Sequence, residues 1–267
     1  MGTVACKITD GIATVTFTNP PKGFFTSDMV AQTRTILADL DNNDEVRVVV
    51  FTGGLPDVFI RHFSVEEIIE MTAGLKARRA KGLADPRFAR TPLRLLWEEV
   101  DNFRKPTIAA INGFCGGGGC ELALACDIRV GAEGSSYAVT SSKIGTVAGA
   151  GGTQRLPRIV GPAKALEIMF AGDPVDAVEA YRIGLINRLA PKGQALAEAK
   201  KMVAVYEDRA PLSLAWIKRS VHRGMQMDLA SALEFETFLV STIYQTADRK
   251  EGIGAFLGKR KAKFSGK

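Results

Sequence analysis

At 267 residues, with 46% hydrophobic and 24% charged side chains, the chain has room for one large domain or two small ones and the composition of an ordinary soluble globular protein. Its net charge of +6 favours anionic partners, whether phosphorylated cofactors, nucleic acid or a membrane surface, without choosing among them. No apolar run follows a basic N-terminal start and none approaches the ~18 residues of a spanning helix, so neither a signal peptide nor a membrane span is expected. The four cysteines, Cys6, Cys115, Cys120 and Cys126, fit no CxxC pattern, and three lie in an apolar stretch. They read as buried reduced thiols, which points to the cytoplasm.

Residues 4–18 alternate on either side of Asp10-Gly11, which predicts two short strands joined by a turn. A loop at Asn19 to Gly23 leads into residues 27–40, where Met29, Val30, Ile36, Leu37 and Leu40 fall broadly on one helical face and Ser27 is placed as N-cap. The run Val46 to Thr52, stopped by Gly53-Gly54, predicts a strand buried on both faces. Strand, helix and strand at this spacing argue for an α/β fold with parallel strands.

Residues 59–105 are less regular. Ser64 and Glu67 suggest a capping box for a helix through Met71. From Lys76 to Arg94 the cations Lys76, Arg78, Arg79, Lys81, Arg87, Arg90 and Arg94, broken by Pro86 and Pro92, read as a mobile basic loop over a surface. That loop is either a solvated face or a lid whose cations meet phosphates, and a helix over 93–103 is expected after it.

The stretch that organises the chain follows. Thr107 to Ile111 reads as a strand, Asn112-Gly113 as a turn, and the four glycines Gly116 to Gly119 precede the helix formers Glu121 to Ala125. A strand that breaks at glycines and restarts as a helix leaves backbone N–H groups unpaired at the helix start. Without Cβ atoms, the glycines allow a ligand close to the main chain. Such a site suits a developing negative charge, either an oxyanion or a phosphate, and Glu121 sits inside it. Short strands are expected over 128–132 and 136–139, a second glycine-rich turn at Gly149 to Gln154, a helix from Gly161-Pro162 to Phe170, and a mostly helical region from 194 to 265. A change of composition near Asp208 to Pro211 marks a boundary between a core, 1–207, and a helical region, 208–267.

Four segments together, NGFCGGGGCELALACD (112–127), IGTVAGAGGTQRLPRIVG (144–161), AGDPVDAVEAYRIGLINRL (171–189) and DRKEGIGAFLGKRKAKF (248–264), resemble the enoyl-CoA hydratase/isomerase (crotonase) superfamily in order and spacing. The resemblance implies an α/β spiral of ββα units followed by a C-terminal helical trimerisation region, assembled as a trimer or a pair of trimers. It implies an acyl-CoA substrate, no permanently bound cofactor and no metal, with coenzyme A arriving as part of the substrate; membrane and nucleic-acid partners are not expected. Two backbone amides would hold the thioester oxygen as it gains enolate character, and these positions carry over to Gly118 and Phe63. The first catalytic glutamate of the family's hydratases carries over to Glu121. The second falls on Ser141, a hydroxyl that is no base at neutral pH without activation. Where the family has a small-residue run, this chain has Ile60-Arg61-His62-Phe63-Ser64, which makes His62 a candidate acid/base and Arg61 a candidate partner for a substrate carboxylate. Lys22, Gly117 and Lys259 are the positions assigned to coenzyme A. The alternatives left open are other chemistry of the same superfamily through His62 or Arg61 (decarboxylation, or thioester or C–C hydrolysis), and a catalytically silent homologue that binds CoA or RNA.

Overall fold

The computed structural model describes residues 2–82 and 91–267, apart from the side chains of Leu75, Arg78 and Glu207. Asp10 and Gly11, with φ of 50° and 72°, fold strand β1 (Thr3–Thr9) back on β2 (Ile12–Thr18) in antiparallel register, the left-handed backbone that a two-residue hairpin turn requires. Helix α1 (Ser27–Asp41) then crosses to β3 (Val48–Gly53), which lies parallel to β2. From β3 onward one pattern repeats three times: a strand for a large sheet, a short strand for a small sheet, then helix. The first pass is β3, β4 (Val58–Ile60), α2 (Val65–Ala80) and α3 (Pro92–Asp101). The second is β5 (Thr107–Ile111), β6 (Phe114–Gly116) and α4 (Gly118–Ala125). The third is β7 (Ile128–Ala132), β8 (Ser136–Ala138), a 3-10 turn at Thr140–Ile144, α5 (Gly152–Val160) and α6 (Pro162–Ala171). After β9 (Val175–Asp176), α7 (Ala177–Arg182) and β10 (Arg188–Ala190) come the helices α8 (Ala195–Glu207), α9 (Pro211–Gly224), α10 (Leu229–Ile243) and α11 (Ala247–Leu257). The large sheet runs β1-β2-β3-β5-β7-β10 and the small one β4-β6-β8-β9. This is the expected spiral of ββα units, closed by helices.

Side-chain alternation along β3 and β5 explains their unbroken apolar sequences. Val49, Phe51, Ala109 and Ile111 enter the main core with Phe17, Phe25, Trp97 and Leu122, while Val48, Val50, Ile108 and Ala110 pack with Ala195, Ala199 and Val203 of α8. A strand with core on both faces has no polar face to alternate with.

Several boundaries differ from expectation. Thr26, not Ser27, caps α1, its Oγ1 accepting from Met29 N–H. Ser27 instead donates from its N–H and its hydroxyl to Glu67 Oε2. The capping box is therefore half formed: Glu67 N–H donates to Ser64 Oγ, but Ser64 N–H donates to Phe25 O. Helix α2 runs to Ala80 rather than Met71, so Lys76, Arg78 and Arg79 belong to a helix and not to a loop. Arg87 and Arg90 lie outside the described residues. Cys6 is exposed on β1, which corrects the expectation of burial there; Cys115, Cys120 and Cys126 are buried free thiols. Among the described residues no helix is long and apolar enough to cross a membrane.

Candidate active site

The three strands β4, β6 and β8 of the small sheet are parallel neighbours, and their C-terminal exits open on one cavity. The exit of β4 delivers His62 and Phe63, that of β6 delivers Gly117 and Gly118, and that of β8 delivers Thr140 and Ser141. With the carboxyl ends of parallel strands aligned, the loops beyond them converge by topology alone. The cavity is about 350 Å³, and Glu121 also lines it.

The glycines are explained by how closely these exits pack. A Cβ on Gly116 would meet Arg61 O at 2.4 Å, one on Gly117 would meet His62 Cβ at 2.9 Å, and one on Gly119 would meet Ile60 O at 2.5 Å. Gly117 also sits at φ 48°. The closest approach these glycines permit is therefore that of the chain to itself, helix α4 being laid directly on residues 60–62. Gly118 differs, because its Cβ direction meets Leu93 Cδ2 at 3.3 Å and Phe63 N at 3.6 Å.

The Phe63 and Gly118 backbones thus adjoin at the cavity wall, and among the described residues neither amide donates to another backbone group. Both amides belong to peptides whose carbonyls already accept hydrogen bonds. His62 O accepts from Phe25 N–H at 2.8 Å, and Gly117 O accepts from Glu121 N–H at 3.0 Å. A peptide polarised at its oxygen is a better donor at its nitrogen. Gly118 is also the first residue of α4, where the helix end carries partial positive charge.

Glu121 is 5% exposed. Its Oε1 accepts from Ala150 N–H and Gly152 N–H, both at 2.9 Å, so the carboxylate is aimed by one fixed oxygen. Burial raises its pKa above the ordinary value; the Gly152 and Ala150 amides and the Arg155 charge pull in the opposite direction without overcoming burial. A carboxyl held in that way exchanges a proton nearer neutral pH than a solvated one does.

His62 is half-buried, with its ring 4.5 Å from that of Phe24 and its Nδ1 2.7 Å from Phe63 O. A carbonyl oxygen only accepts, so Nδ1 carries the proton and the neutral ring keeps its lone pair on Nε2. Ser141, the position assigned to a second carboxylate, is half-buried in the cavity wall. Arg61 does not line this cavity: its guanidinium lies 5.4 Å from the Phe114 ring centroid, and Nε donates to Lys22 O. The carboxylate-pairing role considered for Arg61 has no geometric support. Lys22 lies by the same aromatic pair, its Nζ 5.8 Å from the Phe24 ring centroid. Lys259, beyond the end of α11, does not line the cavity of its own chain.

The apolar part of the wall comes from Val65, Ile68 and Met71 of α2, Leu93 of α3, and Ile144 and Val147. Sequence reasoning missed this lining, and it missed Arg155, which stands behind Glu121. The helical spacing of Val65, Ile68 and Met71 was the available signal for the former. Among the described residues no group of three or more His, Cys, Asp or Glu is placed to hold a metal ion.

The family model described as enoyl-CoA hydratase/isomerase matches residues 7–267. The chain is 33% identical over 254 residues to the short-chain-enoyl-CoA hydratase of Clostridium acetobutylicum, covering 94% of each. It is 33% identical over 255 residues to the crotonyl-CoA hydratase of Syntrophomonas wolfei, covering 95% of this chain and 94% of that one. Among solved structures, the enoyl-CoA hydratase of Bacillus anthracis superposes with a TM-score of 0.89 at 28% identity, covering 99% of both chains.

Proposed function

The chain belongs to the enoyl-CoA hydratase/isomerase family, and from that premise we propose that it adds water to a 2-enoyl-CoA thioester. The Phe63 and Gly118 amides receive the thioester oxygen, and Glu121 acts as the acid/base group. The water oxygen bonds to the β-carbon, and the electron pair of the double bond moves onto the α-carbon and carbonyl oxygen. Glu121 takes a proton from the water and returns it to the α-carbon, which restores the carboxylate and leaves the thioester bond intact. His62, with Nε2 free to accept, is the second acid/base candidate; Ser141 serves as a hydroxyl that orients water. One observation carries the reading: a buried carboxylate, fixed by two amides, lines the same cavity as the two adjoining backbone donors.

Removing one such donor costs roughly 3–4 kcal/mol of barrier, which indicates what the pair contributes. With one carboxylate in place of two, hydration is expected to run roughly 10²–10⁴-fold below a two-carboxylate site. Crotonyl-CoA hydration by wild type, lost in Glu121→Gln while the melting temperature holds, is the expected result. A wild type that binds CoA thioesters and is protected thermally, yet turns over no enoyl-CoA, overturns hydration in favour of a silent binder.

The proposal includes a homotrimer, or a pair of trimers, in the cytoplasm. The reduced buried thiols support the location. Large apolar side chains left open on the C-terminal helices support the assembly, among them Leu229 at 75% and Phe256 at 83% exposure. Gly117 in the cavity wall and Lys22 beside Phe24 are assigned to coenzyme A. Lys259, which does not line its own chain's cavity, is assigned to coenzyme A at the site of a neighbouring copy. Sedimentation equilibrium should give three or six times the 28.7 kDa of one chain, and a monomer at micromolar concentration removes both the assembly and the Lys259 role.

A further inference from the structure

The cavity that holds Glu121 shares a wall with a second cavity of about 730 Å³, whose lining includes Asp101, Arg155 and His222, and the shared residues are Gly149 and Ala150. They belong to the turn Gly149-Ala150-Gly151-Gly152, with three glycines in four residues. Such a turn loses more conformational freedom on ordering than almost any other segment. Yet its Ala150 and Gly152 amides are what fix Glu121 Oε1. Something must hold the turn itself.

The far side of the turn shows what does. Arg155 Nη1 donates to Ala150 O at 3.1 Å, and Arg155 N–H donates to Gly151 O at 2.8 Å. Gly151 stands at φ 111°, and a Cβ there would meet Arg155 Nη1 at 2.0 Å, so the turn and the guanidinium fill each other's space. Arg155 Nη2 donates to Asp101 Oδ2 at 3.2 Å, at the end of α3. Asp101 Oδ1 lies 3.2 Å from His222 Nδ1 on α9, and His222 Nε2 lies 3.1 Å from Asp127 Oδ1. The Arg155 side chain is 16% exposed, so its fork is not spent on solvent.

We propose that Arg155 is a positioning residue: held by Asp101, and through Asp101 by His222 of the C-terminal helices, it sets the Gly149–Gly152 turn and thereby the aim of the Glu121 carboxylate. The inference rests on the reading of Glu121 as the acid/base group. Of the charged or titratable groups around Glu121, Arg155 acts on it from behind the turn, and His62 and Lys143 line the same cavity. Loss of Arg155 removes one influence that lowers the Glu121 pKa and unclamps the turn at the same time.

The test is made on the full chain, with wild type, Arg155→Met, Arg155→Lys and Asp101→Asn. Three quantities are followed: kcat and KM for crotonyl-CoA, the pH profile of kcat/KM, and the carbon-13 titration of the Glu121 carboxyl, identified by the signal lost in Glu121→Gln. Arg155→Met is expected to lower kcat roughly ten- to hundredfold, with KM within about threefold of wild type. Its Glu121 titration and the acid limb of its profile should both move to higher pH. Arg155→Lys should recover part of the effect, and Asp101→Asn should show a smaller shift in the same direction. A lowered melting temperature with kcat and the Glu121 midpoint unchanged overturns the proposal and leaves Arg155 a packing residue. If Arg155→Met does not fold, Asp101→Asn decides by the same readouts. If wild type is inert or Glu121→Gln is fully active, the acid/base reading of Glu121 fails, while the carbon-13 midpoint still decides whether Arg155 sets that carboxyl.

Discussion

His62 is the residue whose chemistry depends most on a single hydrogen bond. Its Nδ1 proton is committed to Phe63 O at 2.7 Å, and among the described residues the His62 ring makes no other hydrogen bond. The remaining Nε2 is a base in the neutral ring, in the same cavity as Glu121. If it moves a proton in the reaction, His62→Gln keeps a polar side chain but loses that base. The expected loss in kcat is roughly a hundredfold. A change below twofold would leave His62 as the ring that packs on Phe24. The glycine run and Glu121 stood out in the sequence because strand, turn, glycines and helix are contiguous there. Gly118 and Phe63 were singled out only as positions carried over by the resemblance, and His62 as the histidine beside Phe63 where the chain departs from the family's small-residue run. Arg155 was not legible, because its partner Asp101 lies 54 residues away and nothing local marks the pair.

At the scale of the element, α4 is fixed at both ends by different means. Its N-terminal glycines lie against residues 60–62, with no space for a Cβ at Gly116, Gly117 or Gly119. Its C-terminal end is capped from β7: the Arg129 guanidinium, on a residue 6% exposed, donates to Cys126 O at 2.9 Å and Ala123 O at 3.4 Å, and through Nε to Leu185 O at 2.7 Å. A cation at the last carbonyls of a helix satisfies acceptors that have no intrahelical partner. Arg129→Met preserves the stem and takes the guanidinium from the Cys126 and Leu185 carbonyls, while Ala123 O keeps the Cys126 N–H, so unfolding free energy should fall by roughly 3 kcal/mol. A urea titration giving an unchanged midpoint would show that water replaces the guanidinium at no cost. Core strands such as β3 and β5 could be predicted because burial on both faces leaves an unbroken apolar signature. Strand β6 could not: Phe114–Gly116 is three residues long between a turn and a helix, too short for any alternation to register. Helix α2 outran its expected end because Gly74 faces open space inside it, a cost of about 1 kcal/mol that the flanking helix formers absorb.

For the whole molecule, the junction between the spiral and the C-terminal helices is electrostatic as well as apolar. Lys218 Nζ lies 2.9 Å from Asp127 Oδ2, and His222 stands between Asp101 and Asp127. Hydrogen bonds to Asp101 and then Asp127 raise the His222 pKa from 6.5 to about 9, against burial. A histidine whose folded pKa exceeds its unfolded value contributes stability fully below the unfolded value and loses it as pH rises through the folded one. The contribution of His222 is therefore complete below pH 6.5 and disappears as pH passes about 9. Lys105 acts in the opposite direction. Burial lowers its pKa to about 8, where its ammonium donates to Leu40 O and Asn43 O, so its penalty is relieved as pH rises above that value. The net slope of melting temperature with pH does not isolate either group, but Lys105 is common to wild type and His222→Gln. The difference in melting temperature between those two proteins should be largest near pH 6 and close to zero above pH 9. A difference that stays constant across the range would mean that His222 holds α9 by shape and not by charge.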